Sequence, residues 1–173
     1  MAAQNTAESA VLAPVGEFPR ELLEELARRS HLQIAPGRVD PSSALNPTRR
    51  QYDSTRLLIE MKRQYPDAVV VGATECDLFI PVLTFVFGEA EMPGRAAIFS
   101  THRLREEFYG LPANRELLVG RALRELRHEY GHLRGLAHCL DWSCVMSSSH
   151  SVERVDSKDE TYCRDCQARL RVR

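Results

Sequence analysis

The chain has 173 residues, enough for one domain with a substantial buried core. Its 43% hydrophobic and 27% charged residues are ordinary for a soluble globular protein. A formal net charge of -1 gives no overall attraction to nucleic acid or to acidic membranes.

Residues 1–9 lack the basic start and apolar centre of an export signal. The longest apolar run, residues 78–87, is broken by Pro81 and Thr84 and falls short of the roughly 20 residues of a membrane span. The expectation is a soluble, cytoplasmic monomer with no membrane partner and no nucleic-acid partner. Arg outnumbers Lys heavily, but acidic residues nearly balance the total. The Arg excess therefore reads as compositional bias, not as phosphate binding.

In chain order, residues 11–15 form a short apolar run ending at Gly16, which predicts a first strand. Residues 18–30 have helical spacing, with Leu22, Leu23 and Leu26 on one face and Pro19 near the start. Residues 32–34 suit a second strand. Residues 35–50 carry Pro36, Gly37, Pro41 and Pro47 and read as loop. Asp53 or Ser54 is placed to cap a helix running to Gln64, with Leu57, Leu58 and Met61 facing inward.

The valine-rich residues 68–73 predict a buried central strand. Residues 77–87 are apolar but contain Pro81, which suits an edge strand. Residues 88–94 are acidic and turn-like, and residues 95–100 predict another strand. The longest predicted helix covers residues 112–135, where Leu118, Ala122, Leu126, Tyr130 and Leu133 recur every three or four positions. Beyond Gly135 no strong secondary-structure signal remains. The order of elements predicts an α/β fold with a mixed sheet and a loop-rich C-terminal part.

The chemistry is concentrated after residue 127. His128, Glu129, His132, Gly135 and His138 spell H-E-x-x-H-x-x-G-x-x-H. Two histidines four apart on a helix point the same way, one turn apart, and can reach one ion. Gly135 can adopt positive φ at a helix end and return His138 as a third nitrogen ligand. Three protein ligands leave one position of a tetrahedral zinc open, which is the catalytic arrangement. Glu129 sits beside the metal without binding it, where a general base takes a proton from water. His102 and His150 could lie near this site and His31 reads as a surface residue; none of the three is expected as a zinc ligand.

Cys139, Cys144, Cys163 and Cys166 all lie in the last 35 residues, as C-x4-C and C-x2-C pairs. Two such pairs predict a closed, all-thiolate structural zinc site, with two disulfides or free thiols as the competing arrangements. The expected metal content is thus two Zn2+ per chain, one catalytic and one structural. Cys76 stands alone and reads as a small buried residue. Arg164, Arg169, Arg171 and Arg173 around the last pair read as a solvated basic tail.

The pattern from His128 to Cys166, including C-x4-C-x-M ending at Met146, resembles the archaemetzincins, or archaelysins, a branch of the metzincin zinc peptidases. Weaker upstream blocks also resemble that family: residues 46–52, 77–79, 85–90 and 100–104. The resemblance implies a metzincin-like zincin fold, with a twisted mixed sheet packed on helices above a long active-site helix. It implies that Met146 is a Met-turn residue beneath the zinc histidines and that a substrate-binding edge strand falls within residues 77–91. Ser147, Ser148 and Ser149 stand where some metzincins place a Tyr.

One catalytic domain over residues 1–173 is expected. Its sheet and active-site helix span about residues 10–138, and a C-terminal subdomain spans residues 139–173. The expected activity is zinc-dependent hydrolysis of peptide bonds in a peptide or protein substrate, with Glu129 as general base. The alternative is a non-catalytic zinc protein that binds peptide or nucleic acid.

Overall fold

The structure, a computed structural model, describes residues 10–171. The strands are β1 (Ala10–Val15), β2 (Gln33–Ile34), β3 (Leu45–Asn46), β4 (Gln51–Asp53), β5 (Val69–Thr74), β6 (Leu78–Phe79), β7 (Gly88–Ala90) and β8 (Ala96–Ser100). The α-helices are α1 (Arg20–Ser30), α2 (Ser54–Gln64), α3 (Arg115–Leu133), α4 (Val152–Asp156) and α5 (Arg164–Arg171).

Five strands form the main sheet in the order β2-β1-β5-β8-β7. The first four are parallel, and β7 closes one edge antiparallel to β8. A second sheet, β3-β4-β6, has three short strands. Side chains alternate across the main sheet. Leu12, Val71, Ala97 and Phe99 pack on one face with Leu22 and Leu26 of α1 and Leu123 and Leu126 of α3. Ala13, Val70 and Ile98 pack on the other face with Leu57 and Met61 of α2. The result is a mixed α/β fold with helices on both faces. Because both faces are covered, every residue of β5 is buried, which explains its continuous run of valines and small residues.

Local chemistry sets the helix starts. The Asp53 carboxylate accepts the Arg56 amide at 3.2 Å, as expected for a cap of α2. The Asn114 side chain accepts the Leu117 amide at 3.0 Å and starts α3 three residues later than the sequence suggested. Among the described residues, no helix is long and apolar enough to cross a membrane.

Three expectations need correction. Residues 77–87 do not form one edge strand: only β6 is regular, and Val86 returns to Leu78 through an isolated antiparallel bridge. Pro81 and the Leu83 amide bond to the Ile80 carbonyl (3.0 Å) turn the intervening chain. The edge strand is β7, inside the acidic stretch that read as a turn. The acidic side chains of this stretch find partners on α2. Ser54 and Thr55 donate their hydroxyls to Glu89, and Lys62 pairs with Glu91. The proline-rich loop also holds a 3-10 turn (Ser42–Ala44) and β3.

The C-terminal part is loop-rich, as expected, and carries two short helices, α4 and α5. Its path is fixed by bonds to α3 more than by its own apolar residues. Arg121 holds Asp156 with two bonds, at 2.8 and 2.6 Å. Arg124 donates to the Lys158 carbonyl at 2.7 Å, Arg127 to the Glu160 carbonyl at 2.7 Å, and Tyr162 to the Arg127 carbonyl at 2.6 Å. These ties run turn by turn down one side of the helix.

Candidate active site

The last two turns of α3 carry His128, Glu129 and His132. The Nδ1 of His128 faces the Val145 carbonyl at 2.8 Å, and that of His132 faces the Leu136 carbonyl at 2.7 Å. A carbonyl only accepts, so each Nδ1 carries the proton and each Nε2 presents a lone pair. Those two Nε2 atoms lie 3.1 Å apart. Two facing lone pairs repel unless a cation lies between them. A tetrahedral zinc with bonds of ~2.0–2.1 Å keeps its nitrogens at about 3.3 Å, close to that separation.

After the helix, Gly135 takes φ 79° and the Leu136 amide closes back on the Gly131 carbonyl at 2.9 Å. The turn brings His138 over the other two rings, with centroids 5.3 Å from His128 and 5.0 Å from His132. One nitrogen from each of the three imidazoles lies within 4.8 Å of the others, a set that could hold a metal ion. Burial holds all three histidines below their ordinary pKa, His128 to about 3, which keeps them neutral as ligands must be.

Glu129 points to the same cleft and is only 4% exposed. Burial, and next the carboxylate of Glu125, pushes its pKa well above the usual carboxylate range. A raised pKa favours the protonated carboxyl, the form that hands a proton on. The cleft has a volume of about 580 Å³. Phe87, Gly88 and Ala90 on and beside β7 form one wall, and Ser148, Ser149 and His150 line another part. The outer edge of β7 is unpaired in the sheet.

Met146 lies fully buried beneath α3. Its Sδ occupies the space where a side chain on Gly131 would begin, so a larger residue there, between the two histidines, would have to displace Met146. Gly88 similarly abuts Glu129. The sequence reading missed both close approaches. It also missed Glu125 and Lys158, a buried pair lining the cleft. The signal for Glu125 was its position one turn before Glu129 on the same helix face. Of the other histidines, His150 lines the cleft and His102 lines a different cavity with Cys76 and Tyr52. His31 is exposed at the end of α1.

The four C-terminal cysteines also converge, with their sulfurs within 4.8 Å of one another. Cys139 and Cys163 are 3.8 Å apart, far beyond the ~2.05 Å of a disulfide. A tetrahedral ion with Zn–S bonds of ~2.3 Å separates sulfurs by about 3.8 Å. The competing disulfide arrangement is absent: all four are free thiols. Burial raises the Cys144 and Cys166 thiols, while the Cys166 amide holds the Cys163 thiol down. Leu136, Val145 and Met146 pack around this cluster, so it shares its apolar surroundings with the histidine site. Cys76 is half-buried with its thiol pushed up by burial, in keeping with a packing residue.

Comparison with known proteins agrees with this geometry. The profile of peptidase family M54 matches residues 9–172. The archaemetzincin of Methanocaldococcus jannaschii is 42% identical over 94% of this chain and 92% of its own length. That of Thermococcus kodakarensis is 38% identical over 92% and 94%. Among solved structures, the archaemetzincin of Methanopyrus kandleri superposes with a TM-score of 0.81 at 32% identity, covering 98% of each chain. A zinc-dependent peptidase from Methanocorpusculum labreanum gives 0.81 at 28% identity, covering 93% of this chain and 99% of that one. With its fold and its whole described length matched in this way, the chain belongs to the archaemetzincins, peptidase family M54.

Proposed function

We infer that this zinc-dependent metallopeptidase hydrolyses peptide bonds in the cleft beside β7, with His128, His132 and His138 holding the metal and Glu129 moving the proton. The observation that carries the assignment is the pair of Nε2 lone pairs facing each other at 3.1 Å, each fixed by a carbonyl on its Nδ1. Zinc supplies Lewis acidity there, which polarises a carbonyl and acidifies water.

The protein's own groups do the rest. The Glu129 carboxylate takes a proton from the attacking water and returns it to the leaving amine. Burial, which raises its pKa, favours the protonated form that returns the proton. The open edge of β7 receives an extended peptide by strand addition, which sets the scissile bond across the histidines. Met146 is the Met-turn residue of the metzincin type and packs beneath the histidines without binding metal.

Cys139, Cys144, Cys163 and Cys166 hold a second, structural zinc in this reading. Four thiolates leave no position open, so this ion folds the C-terminal subdomain, residues 139–173, onto a single catalytic domain. Reduced thiolate ligands fit a cytoplasmic location. Every group invoked comes from one chain, so a monomer suffices, and the substrate is a peptide or protein with no nucleic acid involved.

The experiment is cleavage of a mixed peptide library by the purified protein, followed by mass spectrometry, with and without a chelator. Cleavage abolished by the chelator and restored by zinc supports the reading. A wild-type, zinc-loaded protein that cleaves nothing contradicts it.

A further inference from the structure

The most buried ion pair among the described residues lies against the active-site helix and has no place in the reaction as described above. Lys158 has no exposed side-chain surface, and Glu125 has 4%. Lys158 Nζ donates to Glu125 Oε1 at 3.3 Å and to the Ser147 carbonyl at 3.2 Å. One ammonium therefore joins three segments. Glu125 is on α3, one turn before Glu129. Ser147 directly follows Met146, and Lys158 belongs to the C-terminal segment.

Stability alone is a weak reason for such a pair. Burying two charges costs several kcal/mol per ion, and volume-matched apolar residues often do as well or better. The segment around Lys158 is also held without its side chain, through the Arg124 bond to the Lys158 carbonyl and the Arg121 pair with Asp156. What the ammonium adds is geometry. It fixes the distance between the chain turning under the histidines and the helix that carries them. Ser147 is buried, its amide bonds the Cys144 carbonyl at 2.9 Å, and Met146 Sδ sits against Gly131. A shift of Ser147 would therefore move Met146 under His128 and His132.

We propose that Lys158, with Glu125, is a positioning residue of the catalytic centre, whose ammonium locks the Met146–Ser147 turn against the helix bearing His128, Glu129 and His132. The proposal rests on the peptidase reading for its effect on turnover, but its structural part can be measured separately.

The test uses the zinc-loaded full chain with methyl-labelled methionine. Two variants are compared with wild type: Lys158→Met, and the double variant Glu125→Leu with Lys158→Met. The readouts are the Met146 methyl resonance, the melting temperature, zinc content, and kcat and KM on a peptide that wild type cleaves. In both variants the Met146 resonance should shift or broaden. kcat should fall about 10–100-fold with KM nearly unchanged, the loss expected when reacting groups are misplaced by about 1 Å.

The double variant should melt at or above the wild-type temperature, which separates positioning from simple destabilisation. If Lys158→Met fails to fold because Glu125 is left unpaired, the double variant decides. An unmoved Met146 resonance with wild-type kcat in the double variant would overturn the proposal. If wild type cleaves no peptide, the peptidase reading fails by itself, and the Met146 resonance still judges whether the pair positions the turn.

Discussion

Gly88 on the edge strand touches Glu129 in the active-site helix so closely that no larger residue fits between them. A Cβ on Gly88 would lie 2.5 Å from Glu129 Oε1 and 2.7 Å from its Cγ, with the Ile98 carbonyl 2.6 Å away on the β8 side. The strand cannot retreat because Gly88 is paired with Phe99. Gly88→Ala must therefore push Glu129 aside. The expected result is a fall in kcat of about 10–100-fold with zinc content unchanged. Overpacking should also cost about 1–3 kcal/mol of stability. Steady-state kinetics with metal analysis checks this, and an alanine variant with wild-type kcat would show that Glu129 has room to spare.

Removing the carboxylate itself is the sharper change. Glu129→Ala should keep the fold and the metal, because the groups placed to hold metal are imidazole nitrogens and cysteine sulfurs, and Glu129 is not among them. Turnover should drop by about 10²–10⁴-fold, the usual contribution of general acid–base catalysis. Peptide cleavage measured beside zinc stoichiometry decides it. Cleavage at the wild-type rate would remove Glu129 from the mechanism.

The outcome for sequence reading follows from how local each signal was. α2 and α3 were legible because their apolar positions recur at helical spacing, and Asp53 did cap α2. β5 was legible because burial on both faces demands an unbroken apolar run. The histidine cluster was legible because a single helix and one glycine turn set its geometry. β7 was not, since Glu89 and Glu91 read as a polar turn until Ser54, Thr55 and Lys62 are brought to them from α2. α5 was hidden for a related reason: its inward residue Cys166 packs with Cys144 and Met146 rather than along an apolar face of its own. The Glu125–Lys158 pair joins positions 33 residues apart: the place of Glu125 one turn before Glu129 marks that residue, but nothing around Lys158 marks its partner.

The two metal sites should be separable. The protein purified without added metal should contain two zinc ions per chain, as seven ligand groups in two clusters suggest. His132→Ala should lose one zinc and all peptidase activity, while the cysteine cluster stays filled. Elemental analysis of both proteins, with turnover, checks this. A wild type with one zinc and oxidised cysteines would rule out the thiolate site.

Cys163→Ser should act mainly on the fold. The Cys163 amide bonds Cys144 Sγ at 3.3 Å and its own sulfur faces Cys139, so the residue joins both pairs. Cys139 directly follows His138, and its amide donates to the Met146 carbonyl at 3.0 Å. Loss of a structural zinc removes folding free energy, because the ligands are not prearranged in the unfolded chain. The melting temperature should fall clearly, and activity should fall with it as His138 loosens. An unchanged melting temperature with unchanged zinc would contradict this.

The buried histidine gives a signed pH effect in the metal-free protein. Burial, and next the Lys158 ammonium, holds His128 at about 3 against an ordinary value of 6.5. The unfolded chain therefore takes up a proton at His128 between those values while the folded chain does not. Where the unfolded state binds more protons, stability rises with pH. The His128 contribution is complete above about pH 6.5 and is lost as pH falls toward about 3, with a slope of at most ~1.4 kcal/mol per unit. Glu125 and Glu129 act in the opposite sense: burial raises their folded pKa, so acidification favours the folded state at those two sites. Comparing metal-free wild type with metal-free His128→Phe isolates the histidine from the carboxylates. Urea melts of both at several pH values from 7 to 4 should show wild type losing stability relative to the variant as pH falls below 6.5. A difference that stays flat across that range would mean that His128 takes its proton as readily folded as unfolded, and the imidazole would then not be held neutral for a metal.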